Sequence, residues 1–359
     1  MISLRITRLL TVSVLFLSVL TTEAQTRKYS NEFLAIGVGG RALGMSGSQV
    51  ASVNDVTSGY WNPAGLLGVK SDLQVGAMHS EYFAGIAKYD FVGFAKSIDS
   101  TQAIGLSFVR FGVDDIPNTT ELIDANGVID YDRVTKFSAA DYAFILSYAK
   151  KLGKGLSVGA NAKVIHRKVG DFGKAWGFGL DAGLQYRKND WIIAAMVRDV
   201  TTTVNAWSYT LNDATREAFL ATGNEIPVNA TEITLPKIIL GVARTLDLSS
   251  KISVLGEVNL DVTTDGKRNV LISADPFSID PHIGIEGSLN KMIFIRFGVG
   301  NIQDVQTLPG KTEKTFQPNF GVGIKLNNIS LDYALTDIGD QSAALYSNVF
   351  SIRLDIFKP

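Results

Sequence analysis

Near the C-terminus Phe350, Ile352, Leu354 and Ile356 alternate with Ser351, Arg353 and Asp355. A period of two puts one set on each face of an extended strand, here an apolar face backed by a polar one. The same pattern returns along most of the chain. Trp176, Phe178, Leu180, Ala182, Leu184 and Tyr186 alternate with Gly177, Gly179, Asp181, Gly183 and Gln185. Leu156, Val158, Ala160, Ala162 and Val164 alternate with Ser157, Gly159, Asn161 and Lys163. The periodicity predicts about fourteen strands of about 10–15 residues each, long for a soluble sheet but suited to tilted strands crossing a bilayer. Their expected spans are 71–81, 86–98, 101–113, 137–151, 154–168, 174–187, 190–200, 234–246, 250–263, 280–289, 291–301, 316–326, 327–337 and 345–356.

The connections sort by length. Turns near residues 99, 152, 189, 249, 290 and 327 are tight, whereas 114–136, 201–233, 264–279, 302–315 and 338–344 are long. Short turns on one side and long loops on the other mark an outer-membrane barrel. A soluble β-sandwich also alternates, but it needs a partner sheet and has no reason to sort its turns. The expected fold is therefore an all-β transmembrane antiparallel barrel in the outer membrane of a Gram-negative bacterium, in contact with lipid. An even strand count places both termini on the periplasmic side. Tyr82, Phe83, Tyr89, Phe111, Trp176, Tyr186, Trp191 and Phe357 fall near strand ends, where interfacial aromatic girdles form.

Composition agrees. Hydrophobic residues make up 46% of the chain and charged ones only 19%, yet no window approaches the length of a transmembrane helix. A net charge of −1 gives no electrostatic footprint for nucleic acid. With no cysteine there is no disulfide, thiolate metal site or thiol nucleophile. Arg5 and Arg8, the apolar run 9–20 and Thr22-Glu23-Ala24 read as a cleavable signal peptide over 1–24. An N-terminal arm and hatch then fill 25–70, and the barrel occupies 71–359.

A barrel of this size has a lumen wider than its own side chains fill. The lumen face carries Lys163, Arg167, Asp181, Glu257, Asp261, Arg296, Asp332, Arg353 and Asp355, of both signs, so internal ion pairs are expected. The filler is the glycine-rich stretch 39–66, with Gly39, Gly40, Arg41, Gly44, Asn54, Asp55, Tyr60, Trp61, Asn62, Pro63, Ala64 and Gly65 as the hatch or plug residues. Asn62-Pro63 reads as a helix start, with asparagine as N-cap and proline at the first helical position. A movable hatch and a static plug are both open at this point.

The run Gly-Arg-Ala-Leu-Gly-Met, then Asn54-Asp55 and Tyr60-Trp61-Asn62-Pro63-Ala64-Gly65-Leu66, resembles the N-terminal signature of the FadL-like superfamily of outer-membrane barrels. More narrowly it is similar to the PorV/PorQ family, as is the loop Ala206-Trp207-Ser208-Tyr209-Thr210-Leu211. The resemblance implies fourteen strands around an N-terminal hatch. The narrower likeness implies a part in type IX protein secretion or surface attachment through protein partners. The broader one implies, as the alternative, transport of hydrophobic small molecules, which needs an apolar pocket beside the hatch. The chain departs from PorV in its shorter length and in Tyr60-Trp61 before Asn62-Pro63.

Loop 201–233 carries a predicted helix capped by Asn212 or Asp213 and ended by Gly223. Trp207, Tyr209, Phe219 and Leu220 are its candidate partner-binding residues. In loop 114–136 Asp114, Asp115, Glu121, Asp124, Asp130 and Asp132 outnumber Arg133 and Lys136. A calcium site and a solvated acidic surface both fit this loop, although no EF-hand spacing is present. His79, His166 and His282 lie on different strands, without a nucleophile motif nearby, so no enzyme and no cofactor are expected.

Overall fold

A computed structural model describes residues 30–123, 127–308, 310–336 and 346–358. The expected signal peptide, Asp124 and loop 338–344 lie outside the described residues. The strands are β1 (Leu73–Tyr82), β2 (Ala87–Ser97), β3 (Gln102–Asn118), β4 (Thr135–Lys151), β5 (Leu156–Val169), β6 (Gly173–Lys188), β7 (Trp191–Arg198) and β8 (Thr203–Tyr209). They continue as β9 (Ala230–Thr234), β10 (Lys237–Asp247), β11 (Ile252–Thr263), β12 (Ser278–Leu289), β13 (Ile293–Leu308), β14 (Lys311–Leu326), β15 (Ile329–Thr336) and β16 (Ser347–Ile356).

Each strand pairs antiparallel with its neighbours, and the pairs β1–β16 and β5–β6 complete a closed ring. Strand β8 prolongs β7 and β9 prolongs β10, so the wall is fourteen-stranded. Closure leaves no unpaired edge, the condition a β-structure must meet in hydrocarbon. Phe94, Leu106, Leu146, Phe178, Ile295 and Phe350 point outward and are exposed, forming an apolar belt that requires lipid as its partner. Among the described residues no helix is long and apolar enough to cross a membrane.

The barrel is taller than the alternation indicates. Strands β3, β4, β13 and β14 run on into the expected loops 114–136 and 302–315, and β8 and β9 occupy part of 201–233. These extensions carry polar residues on both faces, because above the lipid neither face needs to be apolar. Within loop 201–233, α3 (Asp213–Ala221) is capped by Asn212, whose side chain accepts from Thr215 N at 2.7 Å, and Gly223 follows at φ 71°. Two shorter helices, α1 (Gly40–Leu43) and α2 (Ser58–Trp61), lie in the N-terminal segment.

The inner wall is two-sided in character. On β1 to β5, Met78, Phe91, Val109, Ile145 and Ile165 are buried against Phe33, Val38, Leu43, Tyr60 and Trp61 of the N-terminal segment. Tyr82, Tyr89 and Phe111 belong to this inner cluster and not to an outer girdle, whereas Phe83, Trp176, Tyr186, Trp191 and Phe357 are exposed. Strand β2 carries large apolar residues on both faces (Phe91 inward, Val92 and Phe94 outward), so hydrophobicity alone could not orient its aromatic residues.

Candidate functional site: the lumen segment and two cavities

Residues 30–70 occupy the lumen, and every predicted hatch residue except Asn54 is largely buried or sits against a wall strand. Asn62 caps a 3-10 helix, Pro63–Gly68, by accepting from Ala64 N at 3.2 Å. Its amide also donates to Val50 O and Leu184 O, at 3.1 Å each, which fastens the turn to β6. Trp61 Nε1 donates to Val38 O at 2.8 Å, and the Tyr60 hydroxyl donates to Leu34 O at 2.6 Å while accepting from Gly37 N at 2.9 Å. Both aromatic residues thus hold the arm above them.

Wall glycines make room for this segment. A Cβ on Gly159 would stand 2.5 Å from Pro63 C and Ala64 N, and one on Gly298 2.2 Å from Met45 C. Gly44 of the segment meets Gly321 of β14 backbone to backbone. Only residues without a side chain permit such approach. Some backbone N–H groups of the segment find wall partners. Glu257 accepts from Ala51 N at 2.8 Å and Ser52 N at 3.0 Å, and Gly40 N donates to Ser351 Oγ at 2.8 Å.

Ion pairs fix the lower part. Arg41 holds Glu286 with Nε and Nη2, at 2.9 and 3.0 Å, and donates to Asn54 Oδ1 at 3.2 Å. Arg296 bridges Glu286 at 2.6 Å and Asp332 at 2.8 Å, and Arg353 pairs with Asp55. Burial pushes the Asp55 carboxyl up. Arg353 and Arg41, with hydrogen bonds from Thr57, outweigh that and hold it below its ordinary 3.8. The expectation of paired lumen charges is met at these sites, and at Arg167–Asp141 and Lys237–Asp261.

One interruption breaks the wall. Residues 198–203 face only residues 179–181 of β6, so the chain between β7 and β8 bulges. Asp199 and Thr202 have positive φ, at 55° and 62°. Beneath the bulge the buried Lys163 ammonium lies 2.7 Å from Asp181 and 2.6 Å from Asp199. Arg198 turns inward, donating to Leu34 O at 2.7 Å and Tyr60 O at 3.2 Å. Val200 N donates to Leu180 O at 2.8 Å and keeps the wall shut. Sequence reasoning did not single out Arg198 or Asp199. Their one signal is a charged pair at the end of an apolar strand, which any strand terminus also shows.

The arm leads upward. Ser30 and Asn31 bond Asn205, Glu232 and Thr234, and Glu32 pairs with Arg268, all in the long-loop half of the barrel. The first described residues therefore lie in the long-loop half of the barrel. Strand β16 ends at the short-turn end. The arm divides the upper lumen. On one side is a cavity of about 790 Å³ lined by Leu34, Tyr60, Ile145, Trp207, Tyr209 and Leu235 together with Lys163, Asp181, Arg198 and Asp199. On the other is a cavity of about 610 Å³.

Trp207 and Tyr209 are stacked with ring centroids 5.6 Å apart and line the first cavity, with Arg167 5.1 Å over the indole. The sequence reading of these two as a partner-facing surface is corrected: alternation along β8 turns them inward. Phe219 is half-buried and Leu220 is exposed. In the acidic loop, Asp114, Asp115 and Asp130 pair with Arg110, Lys136 and Arg133. Among the described residues no group of three His, Cys, Asp or Glu is arranged to hold a metal.

The closed fourteen-stranded barrel around an N-terminal lumen segment has counterparts among solved structures. Solved structures with this fold include the CymD monoaromatic hydrocarbon channel, with 12% identity, a TM-score of 0.55 and 92% of this chain against 100% of that one. The Pseudomonas putida toluene transporter TodX matches with 11% identity, a TM-score of 0.55 and 90% against 99% coverage. A Pseudomonas aeruginosa FadL homologue matches with 11% identity, a TM-score of 0.51 and 88% against 97% coverage. At these identities the likeness is one of fold. No family model and no curated protein matches the chain.

Proposed function

We propose that the protein is a non-enzymatic outer-membrane channel for small apolar or amphipathic molecules, with the 790 Å³ cavity as its first binding site. The observation that carries this reading is the position of that cavity. It lies directly above Tyr60, is walled by stacked Trp207 and Tyr209, and borders the bulge at 198–203. Its volume falls in the range of about 300–1,000 Å³ usual for small-molecule sites. The names of the similar structures, a monoaromatic hydrocarbon channel and a toluene transporter, support the same ligand class. Both aromatic walls and charged groups line the cavity, which suits a ligand with an apolar body and tolerates a polar end. Titration of the purified barrel with toluene, followed by tryptophan fluorescence, tests the reading. A saturable change lost in Trp207→Phe is expected; its absence in the folded wild type would count against the site.

The PorV/PorQ resemblance supplies a second reading, secretion or surface attachment through protein partners. One observation favours it: α3 presents Leu220 to solvent beyond the barrel wall. Trp207 and Tyr209 no longer add to that surface. Affinity purification from native membranes tests it, and recovery without any secretion component would remove it.

A further inference from the structure

The 610 Å³ cavity differs in chemistry from its neighbour across the arm. Five carboxamides line it, Asn269, Asn301, Gln303, Gln317 and Asn319, beside six ionisable side chains. The 790 Å³ cavity has a single carboxamide, Asn31. Three of the five are wired in series. Gln303 Nε2 donates to Asn301 Oδ1 at 2.5 Å, and Asn301 Nδ2 donates to Gln317 Oε1 at 2.7 Å. Among the described residues this leaves Gln303 Oε1 as an unused acceptor and Gln317 Nε2 as an unused donor at the two ends of the chain. Trp61, Tyr82 and Phe111 supply aromatic surface to the same space.

The charged groups here have charged neighbours, although Asp280 Oδ1 and His282 Nδ1 have no hydrogen-bond partner. Lys237 lies 2.6 Å from Asp261, and His282 Nε2 lies 3.4 Å from Asp280. Arg268 is held by Asp265 and Glu32. An ionic ligand would have to break these pairs. A purely apolar ligand would strip water from the carboxamides without replacing it. A neutral ligand with several hydroxyls can donate to Gln303 Oε1 with one and accept from Gln317 Nε2 with another, and its C–H faces suit the aromatic surface.

We propose that this second cavity binds a neutral polyhydroxylated molecule of mono- or disaccharide size. The site is separate from the apolar-ligand site and stands or falls independently of it.

Calorimetric titration of the full barrel, purified in an amine-oxide detergent so that no sugar headgroup competes, tests this with glucose, maltose, cellobiose and lactose as probes. Saturable binding of at least one is expected. Gln303→Leu and Gln317→Leu should each weaken it at least tenfold, because a site built for hydroxyls loses its discrimination when a polar partner is removed. The lipid-facing Phe320→Leu should leave it unchanged. Gln317→Glu, which keeps shape and acceptors but loses the donor, provides a second variant should the leucine variants not fold. No saturable binding by any of the four sugars to the folded barrel would overturn the proposal. So would equal affinity in the wild type and the folded glutamine variants. Toluene binding by the same sample, measured separately, reports on the other cavity.

Discussion

The Arg198 guanidinium sits 4.6 Å from the centre of the Tyr60 ring and donates to the Tyr60 carbonyl at 3.2 Å. The strand that ends in the wall bulge is thereby tied to the lumen segment. Arg198→Met removes the cation and both donors and should cost about 2–4 kcal/mol, the sum of a desolvated cation–π contact and charge-assisted hydrogen bonds. Arg198→Lys keeps charge but loses the planar fork, and should fall between the two. Urea midpoints of the detergent-solubilised protein, with planar-bilayer conductance as a second readout, check this. Conductance should rise in the order wild type, lysine, methionine.

The Lys163 ammonium lies between Asp181 and Asp199 beneath the bulge. Lys163→Met leaves two buried carboxylates without it and should destabilise by about 3–5 kcal/mol. Adding Asp181→Asn and Asp199→Asn should restore part of the loss. Heat-modifiability on gels reads both effects. Equal stability of single and triple variants would show that the cluster carries no such energy.

Glycines at wall positions predict a separation of barrel from lumen segment. Gly298→Ala drives a methyl into Met45 and should cost about 1–3 kcal/mol by overpacking. The strands should remain closed while proteolysis within 39–66 becomes faster. Gly256→Ala meets nothing within 4 Å and should be silent.

Asp55 gives a pH dependence with a definite sign. Its carboxyl is held below 3.8 in the folded protein, so it binds fewer protons folded than unfolded. Its stabilisation is fully present above the unfolded value and is lost as pH falls below 3.8 through the folded one. Protease sensitivity of the lumen segment should therefore stay flat from neutral pH to about 5 and rise only in stronger acid. Asp55→Asn should be sensitive at every pH.

The wall was legible because lipid imposes a rule on every strand that crosses it. Phe350 to Ile356 show that rule without exception, and the strand count followed. Where lipid ends the rule ends, so β8, β9 and the upper parts of β3 and β13 read as loop. Residues inside the lumen obey neither lipid nor water. Tyr82 and Tyr89 looked like girdle aromatics because nothing local marks a side chain that packs on Tyr60 from across the lumen. Asn62-Pro63 was readable, since capping is a local interaction. The upward course of the arm was not, because it depends on Asn205, Glu232 and Arg268, far away in sequence. The polar-face glycines were visible as an alternation, but only the packed segment shows why Gly159 and Gly298 lack side chains.

Uptake of labelled toluene by cells that express the barrel tests the central claim most directly. The initial rate should exceed that of cells carrying the empty vector, and Trp207→Ala/Tyr209→Ala, inserted and heat-modifiable, should return it to the vector rate. Uptake at the vector rate by correctly inserted wild-type protein, or uptake unaffected by the double substitution, would contradict the account.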